Sequence, residues 1–235
     1  MNAYNKLMHT LIGATITAAL VAIPATASAT QFQVQITGTG AFSAINYDST
    51  ALTVTEFATP LVYSGAGFSF AVGANNAPGG APSFLDTTFG AYNYGTSNGT
   101  ITILTSATDY TTLTAGSMAN LVSSIGGTLV GNTSVTAQTW VNNDNGLNAM
   151  TGDTILMGPF NAGPSFGLTN FGDTSSTAFT ASNPFSLTQQ IILNVAAHGQ
   201  TTGDMNTSIP EPGTLALLGL GLLGAGVLRR RQTKA

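Results

Sequence analysis

Cysteine is missing altogether from the 235-residue chain. Disulfides, thiolate metal sites and a cysteine nucleophile are therefore excluded, although that absence alone does not place the chain in a compartment. Basic residues are nearly as scarce. The five that occur are Lys6, Arg229, Arg230, Arg231 and Lys234, and none lies between Thr30 and Ile209. Affinity for nucleic acid comes mostly from Lys and Arg displacing phosphate counterions, so a DNA or RNA partner is excluded. Charged residues of both signs make up only 6% of the chain, against roughly 25% in ordinary soluble domains. Eight of the nine acids nevertheless fall in the stretch without bases, which leaves it with a formal charge of −8 and His198 as its one candidate cation.

Histidine scarcity narrows the chemistry further. A Ser-His-Asp triad needs an imidazole as general base, and beyond the N-terminal region only His198 can supply one. The nucleophile signature G-x-S-x-G is absent. A zinc site wants three or four Cys, His or carboxylate ligands, and a single imidazole is a poor start. A surface histidine is the simpler reading of His198. A glycosidase needs only two carboxyl groups about 5–9 Å apart, yet no spacing among the acids singles out a pair. The chain therefore reads as a non-enzyme.

What the sequence does hold is apolar residues, at 43%, together with 28 glycines and abundant Ser, Thr and Asn. Such a chain stays soluble through hydroxyl and amide groups, and it is too apolar and too weakly charged for charge-driven disorder. Period-two alternation marks half-buried strands. Phe32, Val34 and Ile36 alternate with Gln33 and Gln35, Phe68, Phe70 and Val72 with Ser69 and Ala71, and Ile101 and Ile103 with Thr100 and Thr102. Leu187, Gln189, Ile191, Leu193 and Val195 share one face. Turn signals separate these runs, among them Ser97-Asn98-Gly99 and 142–146. Many short strands with polar turns predict an all-β fold, a jelly-roll-like β-sandwich. One segment breaks the pattern: Met118, Leu121, Val122 and Ile125 sit at helical spacing between Ser117 and Gly126, predicting one short helix.

The two ends carry targeting features. Residues 1–29 hold a positive charge at Lys6, an apolar run from Leu11 to Ile23, Pro24, and the small residues Ala27-Ser28-Ala29. That order is a secretory signal peptide with cleavage after Ala29, an uncleaved N-terminal anchor being the rival. At the C-terminus, Pro210-Glu211-Pro212 precedes the Leu- and Gly-rich run Leu215–Leu228 and then Arg229-Arg230-Arg231. As a helix, the run's 14 residues span about 21 Å at 1.5 Å per residue, short of the roughly 30 Å hydrocarbon core. The arginines hold that end in the cytoplasm. Two prolines around a glutamate keep the preceding strip extended and open to a protease.

Those three parts, in that order, resemble the PEP-CTERM sorting signal of Gram-negative bacteria, which membrane-embedded exosortases recognise. The resemblance covers about the last tenth of the chain. It implies an exosortase and the Sec export machinery as partners, with Pro210, Glu211, Pro212, Arg229, Arg230 and Arg231 as the sorting residues. It further implies transient insertion in the inner membrane, cutting near the tripeptide, and a body left at the cell envelope or outside the cell. A permanent single-span anchor is the rival. The resulting organisation is a signal peptide (1–29), an exported β-sandwich (30–198), a flexible stalk (199–209), and a sorting signal (210–235) with a membrane helix over 214–228.

The body itself offers few candidate sites. Trp140, Tyr92 and Tyr94 can stack on sugar rings, though strand aromatics are by default core residues. Asp144 and Asp153, with the amides of 142–145, offer oxygens of the kind calcium takes, but the loop misses the EF-hand register and also reads as a polar hairpin. The expected function is that of a non-catalytic cell-envelope or matrix protein associated with exopolysaccharide or biofilm. A carbohydrate-binding, lectin-like module, with or without calcium, is the alternative.

Overall fold

The structure is a computed structural model that describes residues 31–49, 61–65, 67–77, 83–111, 113, 115–163 and 167–210. The signal peptide with Ala27 and Ala29, the sorting residues Glu211, Pro212 and Arg229, Arg230 and Arg231, and the expected membrane helix lie outside the described residues.

The described chain folds as two six-stranded antiparallel sheets and holds no helix. Sheet I contains β1 (Phe32–Gly40), β2 (Asn46–Asp48), β6 (Gly99–Tyr110), β8 (Ser134–Asn142), β9 (Asp153–Asn161) and β11 (Phe185–Val195). Their order is β2-β1-β6-β11-β8-β9. Sheet II contains β3 (Leu61–Gly65), β4 (Phe68–Ala77), β5 (Ser83–Asn93), β7 (Met118–Val130), β10 (Thr169–Thr180) and β12 (Gln200–Ile209), in the order β10-β7-β12-β5-β4-β3. From β5 to β12 the chain changes sheet at every step except β8 to β9, which is the sandwich connectivity expected from the alternation. The runs read from sequence point inward as their period requires. Phe32, Val34, Ile36, Phe68, Phe70, Val72, Ile101 and Ile103 are all buried, as are Leu187, Ile191, Leu193 and Val195.

Two expectations are corrected. The segment expected as a helix forms most of β7, which pairs with β10 and β12. Its inward residues are Ala119, Leu121, Ser123 and Ile125, a period of two, while Met118 is 73% exposed. Leu121 and Ile125 fit both periods, and the decision falls to neighbours a helix cannot satisfy. The buried Ser123 hydroxyl bonds Thr139 across the core and Thr207 on the neighbouring strand. A Cβ on Gly127 would stand 2.0 Å from the Thr202 carbonyl oxygen, so only glycine permits β7 and β12 to approach this closely.

The second correction concerns the expected stalk, which is β12, seated between β5 and β7 in the middle of sheet II. Thr201, Met205, Thr207 and Ile209 are fully buried. Its Thr, Gly and Asn content looks like linker composition, but a buried polar group such as Thr207 is tolerated where it finds partners. The folded body therefore runs to Ile209, and the exposed Pro210 follows at once.

Those partners form a chain of hydrogen bonds through the core. Gln189 of β11 crosses from sheet I: its Nε2 donates to the Leu85 carbonyl at 2.9 Å and to Thr207 Oγ1 at 2.8 Å. Its Oε1 accepts from Thr87 Oγ1 at 2.7 Å. Thr87 continues to Thr105 at 3.1 Å, and Thr207 to Ser123 at 2.9 Å and Thr139 at 3.1 Å. Six buried polar side chains on six strands are thus linked across both sheets. Replacing Gln189→Leu removes the side-chain donor to the Leu85 carbonyl and cuts the link between Thr87 and Thr207 in the core. Urea denaturation should show a loss of about 2–4 kcal/mol; a loss below about 0.5 kcal/mol would show that the clasp contributes nothing.

Candidate functional site

The three aromatic candidates are divided between the two sheets. Trp140 alternates with the inward Thr139 and Val141, so it faces outward from sheet I, yet it is only 7% exposed. Its cover is the loop 143–152. The cross-strand row through Trp140 runs Thr154, Trp140, Thr188, Ser106, Gln33. Along that row Asn148 donates its N–H to Ser106 Oγ at 2.9 Å and its Nδ2 to Gln33 Oε1 at 2.9 Å. Ser186 donates to the Gly146 carbonyl at 2.8 Å. Asn145 and Asp109 exchange two bonds, N–H to Oδ1 at 2.7 Å and Nδ2 to Oδ1 at 2.6 Å. The loop is a strap tied across sheet I. Trp140 lies beneath it and has no free face for a sugar ring.

The strap also accounts for the polar residues read as calcium candidates. Asn142 Oδ1 accepts the Asp144 N–H at 2.9 Å, closing a turn. Asn145 is committed to Asp109. Asp144 and Asp153 are both exposed, and among the described residues no group of three or more His, Cys, Asp or Glu stands close enough to hold a metal ion.

Tyr92 and Tyr94 come together on sheet II. Tyr92 projects from the outer face of β5, and its ring centroid is 4.1 Å from that of Tyr94, with a 33° tilt. Asn93, fully buried between them, sets this up. Its Nδ2 donates to the carbonyls of Ser97 at 2.8 Å and Val195 at 3.3 Å, and its Oδ1 accepts the Gly95 N–H at 3.0 Å. The Tyr94 N–H bonds the Gly67 carbonyl at 2.7 Å. The turn is pinned, and it leaves Tyr94 54% exposed.

Beside the rings runs a shallow groove of about 280 Å³. Gly90 and Ala71 form its low floor, Val62, 70% exposed, forms one side, and Ser69, Gln200 and Thr202 supply polar groups. The register explains the depth. Ala71, Gly90 and Thr202 are opposed across three neighbouring strands, and Gly73 and Thr88 follow in the next row. Further along the same face stand Asp86, paired with Asn75 and Asn206, and Asp204, paired with Thr88. The two acids are diagonal cross-strand neighbours, whose separation is roughly 7–8 Å. Burial pushes the Asp86 carboxyl above the usual carboxylate range; a hydrogen bond from Asn206 opposes this, and the Asp204 charge adds to it.

Sequence reasoning missed Gln200, Thr202 and Asp204 because it assigned them to a stalk. The signal was present in the alternation Thr201, Gly203, Met205, Thr207, Ile209, masked by its polar members. His198 is exposed with φ of 58° in the turn between β11 and β12, so the strand it follows is not the last. Pro210 is the only sorting residue within the described part.

The C-terminal tail carries the PEP-CTERM protein-sorting motif, matched over residues 208–231. No curated protein matches the sequence. Among solved structures, TmCBM61 in complex with β-1,4-galactotriose is similar at 10% identity and a TM-score of 0.30, over 60% of this chain and 88% of that one. A Family 16 Carbohydrate Binding Module-2 is similar at 12% identity and a TM-score of 0.24, over 60% and 85%. The enzymatically active domain of bacteriophage CBA120 tailspike protein 4 is similar at 9% identity and a TM-score of 0.27, over 58% and 18%.

The division of the aromatics predicts unequal stability effects. Trp140→Ala should cost about 3 kcal/mol and lower the melting temperature by roughly 6–12 °C. Tyr94→Ala should change stability by less than about 0.5 kcal/mol. Equal effects in thermal melts would contradict the strap.

Proposed function

We propose that this chain is exported through the Sec machinery, cut by an exosortase at its C-terminal signal, and acts at the cell envelope or outside the cell as a non-catalytic polysaccharide-binding protein of the matrix. The reading rests on one observation, the Tyr92–Tyr94 pair at the end of a groove floored by small residues. A pyranose presents an apolar C–H face to an aromatic ring and a hydroxyl rim to polar side chains. Tyr94 offers such a ring, and Ser69, Gln200 and Thr202 offer hydroxyl and amide partners beside its neighbour Tyr92. Gly90 and Ala71 let a ring settle onto the sheet. Exopolysaccharide or biofilm is the matching setting for an exported protein of this kind. Neither calcium nor any other cofactor is needed for contacts of this type.

A second reading is favoured by the carboxyl pair. Glycoside hydrolysis uses two neighbouring carboxyl groups, and this pair would supply the raised Asp86 as acid and Asp204 as base. Against it, the pair stands on an open sheet with no walls to exclude water. Incubation with linear hexasaccharides decides between the readings. Binding without release of reducing ends supports the first, and release that disappears in Asp86→Asn supports the second.

Two outcomes are expected. In a glycan pull-down or calorimetric titration, Tyr94→Ala should weaken binding about threefold to tenfold, and no retention on any glycan by the unaltered protein would remove the binding role. In a host with the exosortase, the mature protein should end at or after Pro210, because a cut upstream of Ile209 would remove residues seated between β5 and β7. An identical intact mass in hosts with and without the exosortase would refute processing.

A further inference from the structure

The chain has no Lys or Arg between Thr30 and Ile209, so Asp86 and Asp204 face each other's charge with no ammonium or guanidinium group in the body to offset it. Both stand on the outer face of sheet II, on the two strands that also carry Tyr92, Gln200 and Thr202. Six residues along β5 separate Tyr92 from Asp86, roughly 20 Å of extended strand. The outward positions between them, Gly90 and Thr88, are small, as are Ala71 and Gly73 on β4 opposite them. A linear polymer lying parallel to β5 and β12 therefore meets aromatic rings first and carboxylates several sugar rings later. Asp204 is exposed, flanked across the strands by Thr88 and Gly126, so nothing bulky overhangs it.

Charge decides which polymer this track accepts. A polyuronate or sulfated glycan would bring anions toward a body of formal charge −8 and find no guanidinium or ammonium to receive them. A neutral glycan would stack on the tyrosines and leave the carboxylate repulsion as it was. A polymer with free amines would place ammonium groups beside Asp86 and Asp204, relieving that repulsion and gaining charge-assisted hydrogen bonds. We infer that the outer face of sheet II recognises amino-sugar polymers with free, protonated amines, its tyrosine end holding the ring faces and its Asp86–Asp204 end selecting for the positive charge. This rests on the polysaccharide-binding reading above and names the class of polysaccharide.

The test titrates the purified protein by calorimetry with four hexasaccharides: β-1,4-linked glucosamine, its fully N-acetylated form, a β-1,4-glucan and a uronate oligomer. At low salt the glucosamine hexamer should bind about threefold to tenfold more tightly than the acetylated or neutral hexamers. That advantage should shrink in 0.5 M salt, where the Debye length falls to about 4 Å, and should vanish in Asp204→Asn. Asp204→Asn is nearly isosteric at an exposed site, and an unchanged melting temperature confirms that the fold is kept. Equal affinity for glucosamine and acetylated hexamers overturns the inference while leaving the Tyr94-dependent binding intact. Uronate binding that a chelator abolishes also overturns it, since the acids would then hold a bridging divalent cation. Failure of all four to bind, with Tyr94→Ala without effect, overturns the polysaccharide reading itself and this inference with it.

Discussion

The structure depends on the side chain of Gln189 reaching across the core. With no cysteine and no basic residue in the body, neither a disulfide nor a Lys- or Arg-based ion pair can hold the two sheets in place, and hydrophobic contact alone is indifferent to small slips of one sheet over the other. A primary amide is not indifferent. Its donors and its acceptor must meet the Leu85 carbonyl, Thr87 and Thr207 together, and a strand moved by one residue would present its other face. The outward face inherits this order. Thr87 inward on β5 places Asp86, Thr88, Gly90 and Tyr92 outward; Thr207 inward on β12 does the same for Asp204, Thr202 and Gln200. The residues of the candidate groove stand where they do because their neighbours on the same strands are tied to Gln189.

Uncharged polar residues do in this protein what charged ones do elsewhere. Ordinary domains separate a greasy interior from a charged exterior, whereas here Thr, Ser and Gln appear on both. Inside, Gln189, Thr87, Thr105, Thr207, Ser123 and Thr139 are paired with one another; outside, such residues face water and form polar ladders such as Thr128 with Thr202 at 2.8 Å and Thr100 with Asn194 at 2.9 Å. This explains why the alternating apolar runs were readable in the sequence while β12 was not. Phe32, Val34 and Ile36 announce a buried face by type alone. Thr207 does not, since its burial goes with hydroxyl and amide partners supplied by distant strands.

The same limit accounts for the other misreadings. In β7 the spacing of Leu121 and Ile125 suits a helix as well as a strand, and the deciding facts are the Gly127–Gly203 approach and the Ser123 hydrogen bonds, all non-local. Trp140 was correctly placed on a strand, but nothing near it in the sequence shows that Asn148 reaches Gln33, far back at the start of the chain, to close a strap above it. Tyr92 and Tyr94 were legible as a pair because two residues of one strand end and its turn suffice to bring them together. Their groove was not, since its lining is drawn from four strands, β3, β4, β5 and the unrecognised β12.

The position of β12 also bears on how the body and its tail fit together. The central strand of sheet II is the last one made, and its partners β5 and β7 must wait for it with their facing edges open. Between Ile209, fully buried, and the apolar run at Leu215 lie five residues, which when fully extended reach about 18 Å at most. In the proposed route the body is therefore held within that reach of the inner membrane until the tail is cut. Cutting after closure releases a sheet whose register is already fixed by Gln189, and with it the face that carries Tyr92, Thr202 and Asp204.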